Sequence, residues 1–313
     1  MSRTAPPGMA WIPGGTFLMG SKRFYPEEGP VRRVNLDGFF MDRTPVTNRD
    51  FARFVADTGH VTVAERTPDP QDYPGADPTA LRAGSLVFNP PADGHDSRRP
   101  APWWRYLPGA CWHRPDSAAE LSDALLAHPV VHIAFADAEA YARWAGKVLP
   151  REAEWEFAAR GGLDGADYAW GSAFMPAGER LANTWPGAFP MRGEDGPHRY
   201  GTSPVGSFPS NSYGLADMIG NVWEWTADFW APRHAPEPAG CCAGATAENP
   251  RVADPARSFD PALPGIRIPR RVLKGGSHLC APNYCRRYRP AARHPEMEDS
   301  ATTHIGFRCI LRA

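Results

Sequence analysis

Across its 313 residues the chain carries 34 Lys and Arg against 35 Asp and Glu. That balance leaves no electrostatic footprint for nucleic acid or an anionic membrane, and 42% hydrophobic content excludes wholesale disorder. Pro and Gly make up about a fifth of the residues, which excludes long helices and long central strands. The length suits one domain spanning 1–313, built of short elements and long ordered loops. Residues 10–19 read as two short strands around the Gly14-Gly15 turn, and 31–34 and 39–41 as further strands. Thr47 is placed to cap a helix, with Asp50 three residues on; Phe51, Phe54 and Val55 line one face and Gly59 ends it. Residues 66–115 read as a long ordered loop anchored by Trp103, Trp104 and Trp112. Alternation over 130–135 predicts a strand, and Asp137 can cap the helix that follows, which stops at Gly146. Residues 150–160 form another helix, its Glu152, Glu154 and Glu156 near the N-terminus where the dipole favours them; Gly161-Gly162 terminates it. Residues 232–270 are Pro- and Ala-rich and are expected to wrap the surface.

The N-terminus has no apolar segment long enough for a secretory signal, and no stretch approaches the roughly 18 apolar residues of a membrane span. A cytoplasmic protein is expected, and a monomer. In a reducing compartment the six cysteines, Cys111, Cys241, Cys242, Cys280, Cys285 and Cys309, are expected as thiols or metal ligands rather than as a disulfide framework.

The stretch from Lys274 to Cys285 is the most informative. Two thiols, Cys280 and Cys285, flank a Pro-Asn turn. Arg286, Arg287, Arg289 and Arg293 follow and would lower nearby thiol pKa values and attract anions. Two thiolates with no adjacent His or third Cys do not complete a zinc site but suit Cu(I). From spacing alone a disulfide, or two unrelated buried cysteines, remains open.

The ordered series Trp11-Ile-Pro-Gly-Gly-Thr-Phe-Leu-Met-Gly20, Pro45-Val-Thr-Asn48, His128-Pro-Val-Val131, Ala140-Tyr-Ala-Arg-Trp-Ala-Gly146, Glu152-Ala-Glu-Trp-Glu156, Gly220-Asn-Val-Trp-Glu-Trp225, Gly275-Gly-Ser277 and Gly306-Phe-Arg308 resembles the formylglycine-generating enzyme (sulfatase-modifying factor) family. The resemblance runs from about residue 9 to 310. It implies an α+β fold, related to C-type lectins, with little regular secondary structure. The thiol pair before Arg287-Tyr288-Arg289 matches the catalytic members. It implies a copper-dependent oxidase that uses O2 to convert a cysteine in a Cys-x-Pro-x-Arg segment of an unfolded sulfatase to Cα-formylglycine. On this resemblance Cys280 and Cys285 hold Cu(I), the substrate cysteine joins as a third sulfur ligand, Ser277 and Tyr284 stand near the pocket, and Trp223 or Trp225 lines it. The alternative is a non-catalytic, calcium-stabilised binding module of the same fold. A sulfoxide-synthase relative would need a histidine-rich iron site, and the ten histidines show no clustering in sequence.

The resemblance further implies structural Ca²⁺. One set is Asn183, the Thr184 carbonyl, Asp195 and a backbone ligand at Pro197 or near Tyr200; the other is Asp217, Gly220, Val222 and Glu224. Arg151 stands where the family has a capping Thr, a change expected to cost about 1 kcal/mol. Cys309 is expected to be a free buried thiol.

Overall fold

The computed structural model describes residues 4–90, 103–190, 201–234 and 246–313. Among these, three α-helices and four small sheets make an α+β architecture. The strands are β1 (Met9–Ile12), β2 (Gly15–Met19), β3 (Arg32–Leu36), β4 (Phe39–Asp42), β5 (Gly84–Phe88), β6 (Trp104–Pro108), β7 (Trp223–Phe229), β8 (Ala247–Glu248), β9 (Arg270–Lys274), β10 (Arg293–Met297), β11 (Ile305–Gly306) and β12 (Ile310–Arg312). The helices are α1 (Asn48–Thr58), α2 (Phe135–Trp144) and α3 (Glu152–Arg160). None is long and apolar enough to cross a membrane.

β1 and β2 form as expected but do not pair with each other. β1 joins β4 and β12; β2 joins β3 and β8. The Gly14-Gly15 link is a crossing between two sheets, with both residues at positive φ. A Cβ at Gly14 would meet the Leu36 carbonyl oxygen at 2.5 Å, so the close approach requires glycine. α1 follows its local signals. The Thr47 hydroxyl accepts from the Asp50 amide at 3.2 Å, and Gly59 closes the helix at φ 66°.

Two expectations give way. The 66–115 segment contains a hairpin, β5 on β6, paired from Gly84–Pro108 to Phe88–Trp104. Residues 130–135 are not a strand. Val130, His132, Ile133, Ala134 and Phe135 are all buried, so the apolar alternation does not separate two faces, and His132 sits at φ 60°. α2 consequently starts at Phe135, and Asp137 serves inside its first turn, accepting from the Ala134 amide at 3.1 Å.

α3 is buried along its whole length and is held by charge. Glu152 takes Arg293 at 2.7 Å, Glu154 takes Arg312 at 2.8 Å, and Glu156 takes Arg160 at 2.7 Å and Lys274 at 3.0 Å. Its missing capping hydroxyl is replaced from a distance. Asp228 on β7 accepts from the Glu152 amide at 2.6 Å and from the Val252 amide at 2.5 Å. α3 packs on β2 and β3 around Phe17, Val34 and Trp155, while α1 and α2 pack with β7 and β9 around Phe51, Tyr141 and Trp225.

Candidate active site

The four-stranded sheet, in the order β10-β9-β7-β11, builds the site at its edge. Trp223 opens β7 opposite Ile305 of β11, and His294 and Glu296 come from β10. The chain leaving β9 passes Gly275 and Gly276, both at positive φ, and a Cβ at Gly276 would meet the Arg287 carbonyl oxygen at 2.7 Å. This close contact folds residues 277–287 back on themselves.

Within that loop the Cys285 amide donates to the Ala281 carbonyl at 2.9 Å, the Cys280 amide to Ser277 at 3.0 Å, and the two sulfurs come within 3.2 Å. All four cysteines among the described residues, Cys111, Cys280, Cys285 and Cys309, are free. Cys280 is 2% exposed; Cys285 is half-buried. Asn283 fastens the turn by exchanging hydrogen bonds of 3.1 and 3.0 Å with the backbone of Phe189.

The two thiols behave differently. Cys285 is lowered to about 6, first by the hydrogen bond with Cys280 and then by the Arg287 amide and guanidinium, against the opposing effect of burial. Burial, followed by the hydrogen bond and charge of Cys285, pushes Cys280 well up. The pair therefore holds one shared proton at neutral pH, with Cys285 as the thiolate. Arg287 contributes here, yet three of the four arginines are committed elsewhere, and only Arg286 is exposed. Arg287 also pairs with Glu27, Arg289 with Glu28 and Arg293 with Glu152, so these cations are part of the framework.

The sulfurs line a cavity of about 370 Å³ together with Ser277, Trp223, Tyr284, Phe189, Trp104, Leu86, Leu279, Arg287, His294, Glu296, Thr302 and His304. Ser277 is fully buried, and its hydroxyl accepts from the Leu279 amide at 3.3 Å. Tyr284 is 52% exposed and stacks on Phe189 at 4.1 Å, forming the rim. Of the two tryptophans, Trp223 faces the cavity and stacks on His294; Trp225 is buried elsewhere and donates to the Ile133 carbonyl.

His294, Glu296, Thr302, His304, Phe189 and Trp104 were not identified from sequence. The histidines also gather more than their spacing suggests: His304 is held well below the usual value by burial and by the charges of His132, His278 and His294. They do not bring three ligand atoms together as an iron site would. Among the described residues only Glu65, Cys111 and His113 do so.

The remaining candidates lie apart. Asn183 donates to Gly201, Ser203 and Asn221, and Thr184 is buried beside it. Asp195, Pro197, Tyr200 and the Cys241-Cys242 pair fall outside the described residues. Asp217 accepts from the Gly206 amide at 2.7 Å, and Gly220 sits against the Asn183 carbonyl. Val222 is buried in the core. Glu224 is already engaged by protein donors. Its carboxylate takes a bidentate Arg308 at 2.8–3.0 Å and the Trp155 ring N–H at 2.8 Å. The same guanidinium donates to the Ala216 and Asp217 carbonyls. Two soft sulfurs side by side on a cavity wall, by contrast, suit a monovalent copper ion by donor type.

Residues 1–313 match the family described as "Sulfatase-modifying factor enzyme 1-like domain". The "Formylglycine-generating enzyme" of Mycobacterium tuberculosis is 52% identical over 300 residues, covering 96% of either chain. That of Thermomonospora curvata is 46% identical over 314 residues, covering 96% of this chain and 92% of the relative. The solved structure "Structure of PvdO from Pseudomonas aeruginosa" superposes with a TM-score of 0.62 at 22% identity, covering 97% and 94% of the two chains, a likeness of fold alone. With a match along its entire length and half its residues shared with such relatives, the chain belongs to the formylglycine-generating enzyme (sulfatase-modifying factor) family.

Proposed function

We propose that this chain is an oxidase that converts a cysteine of a sulfatase polypeptide, in a Cys-x-Pro-x-Arg segment, to Cα-formylglycine with O2, acting as a cytoplasmic monomer. The observation that carries this reading is the pair of free thiols 3.2 Å apart on the wall of a cavity large enough for a peptide side chain. Cys280 and Cys285 are the proposed copper ligands; copper bound there would supply the one-electron chemistry that O2 requires and a binding point for the substrate sulfur. A reducing compartment keeps both thiols available for this.

The protein's own residues prepare the site. Arg287 and the Cys280 hydrogen bond keep Cys285 ionised near neutrality, so a soft anionic donor is present without prior deprotonation. Trp223 and Phe189 give the cavity apolar walls that exclude water from the reacting carbon. Ser277, buried within the cavity lining, offers a hydroxyl that can donate to a substrate carbonyl. Tyr284 at the rim stacks where an entering peptide passes. The net reaction takes the thiol, O2 and two reducing equivalents to the aldehyde, H2S and water. Structural calcium is proposed at Asn183, Thr184, Asp195 and Pro197, and at Asp217, Gly220, Val222 and Glu224, where Glu224 would share its carboxylate with Arg308.

The test is to incubate the copper-loaded full chain with a Cys-x-Pro-x-Arg peptide, O2 and dithiothreitol, and to follow aldehyde by mass spectrometry. Aldehyde is expected, and its loss in Cys280→Ser and Cys285→Ser proteins that keep their far-UV spectrum. A folded, copper-loaded chain that yields no aldehyde overturns the proposal.

A further inference from the structure

Away from the cavity, the chain between α1 and α2 brings together three side chains that the proposed reaction does not use. Glu65, Cys111 and His113 each offer a ligand atom, and the three atoms all lie within 4.8 Å of one another. They differ in chemistry: a buried thiol, an imidazole and a carboxylate, the last two partly exposed. This is neither an acidic patch nor a lone cysteine.

Each is already oriented. The Thr62 amide and hydroxyl hold Glu65 Oε2 at 3.0 and 2.6 Å, which leaves Oε1 facing His113 Nε2 at 3.2 Å. Glu120 Oε2 lies 3.1 Å from His113 Nδ1, and Arg114 in turn holds Glu120 Oε1 at 2.7 Å. A carboxylate on Nδ1 fixes the tautomer whose Nε2 carries a lone pair, the arrangement that supports metal-ligating histidines. In that tautomer Nε2 and Oε1 are two acceptor atoms 3.2 Å apart, an edge that a cation can take as readily as a proton. Cys111 and Arg114 exchange backbone hydrogen bonds of 3.1 Å, a tight turn that puts the buried sulfur and the imidazole two residues on against the same carboxylate.

We propose that Glu65, Cys111 and His113 hold one divalent cation of the zinc class, with a solvent molecule completing a tetrahedron. Zn–S of about 2.3 Å and Zn–N and Zn–O of about 2.0–2.2 Å put the ligand atoms of a tetrahedron roughly 3.3–3.7 Å apart. The imidazole–carboxylate edge already has about that length. A thiolate and a carboxylate neutralise the two positive charges, while Glu120 and Arg114 cancel each other. Binding releases the thiol proton and joins the turn at 111–114 to residues 62–65. The hairpin of β5 and β6, which carries Leu86 and Trp104 to the cavity, lies between those two segments in the chain.

Co²⁺ is the probe, in a full chain whose Cys241, Cys242, Cys280 and Cys285 are all replaced by Ser so that no other thiol pair competes. One equivalent is expected to give tetrahedral visible absorption and a thiolate-to-cobalt charge-transfer band. Cys111→Ser should abolish that band, and Glu120→Gln should weaken affinity by about 10- to 100-fold. His113→Gln, at a partly exposed side chain, carries the test if the Cys111 variant does not fold. A chain that gives no tetrahedral spectrum, or one whose spectrum survives both Cys111→Ser and His113→Gln, overturns the proposal and leaves His113 as a hydrogen-bonded bridge between two carboxylates.

Discussion

Cys285 is half-buried beside Arg287, and its thiol is lowered to about 6. The thiolate is present above that value and is lost as pH falls through it. Alkylation of Cys285 by iodoacetamide in the metal-free chain should therefore follow a titration centred near 6, well below that of an ordinary thiol. Cys280→Ala removes the leading cause and Arg287→Ala a further one, so each should move the midpoint up, measured by mass spectrometry of the labelled peptide. A midpoint unmoved by both changes would contradict the shared-proton account. At this scale the sequence was only partly readable. The thiols and Ser277 were legible through the motifs around them, and Trp223 only as one of the pair Trp223 and Trp225. His294 and His304 were not, because no local pattern distinguishes a histidine at a sheet edge from one in the core; only the pairing of β10 with β9 and of β11 with β7 puts them at the cavity.

Among the elements, α3 shows how a distant residue completes a helix. Asp228 receives the first amide of α3 as well as the Val252 amide, and burial raises its own carboxyl to about 6 despite both bonds. Asp228→Asn keeps the shape but turns one acceptor into a donor facing an amide. The expected loss is about 1–3 kcal/mol of unfolding free energy, read by urea denaturation. The signals of α1 at Thr47 and Gly59 lie within one turn of the helix they delimit and were legible. The substitute cap of α3 lies 76 positions away and was not. The β5–β6 hairpin was hidden for a related reason: its pairing spans a Pro-rich stretch with no two-residue turn signal. The expected strand at 130–135 failed because alternation in residue type did not become alternation in exposure.

The ion pairs that bind the molecule together have a definite pH signature. Burial pushes Glu156 up, but Lys274, Arg160 and His234 outweigh it and hold the carboxyl at about 2, below the ordinary 4.5. Its contribution to stability is therefore complete above 4.5 and is lost as pH falls from there through about 2. Unfolding free energies measured in urea over that window should decline, and more shallowly in Lys274→Ala. That variant should itself lose about 3–5 kcal/mol at neutral pH, since a buried carboxylate is left short of a partner. A variant within 1 kcal/mol of the parent would show that Arg160 alone suffices.

The same pairs have a direction along the chain. Glu27, Glu28, Glu152, Glu154 and Glu156 precede Gly165, while Arg287, Arg289, Arg293, Arg312 and Lys274, which pair with them, follow it; Arg160 on Glu156 stays on the first side, and Arg23–Asp167 runs the other way. A nick at the exposed turn around Asp164 would thus yield two pieces joined by several ion pairs, most of them with the carboxylate on the first piece. Produced separately, fragments 1–164 and 165–313 should be inert, since Leu86 and Trp104 travel with one and both cavity thiols with the other. Mixed, they should assemble at a rate that slows with added salt and recover aldehyde formation, making this enzyme a natural candidate for a split reporter.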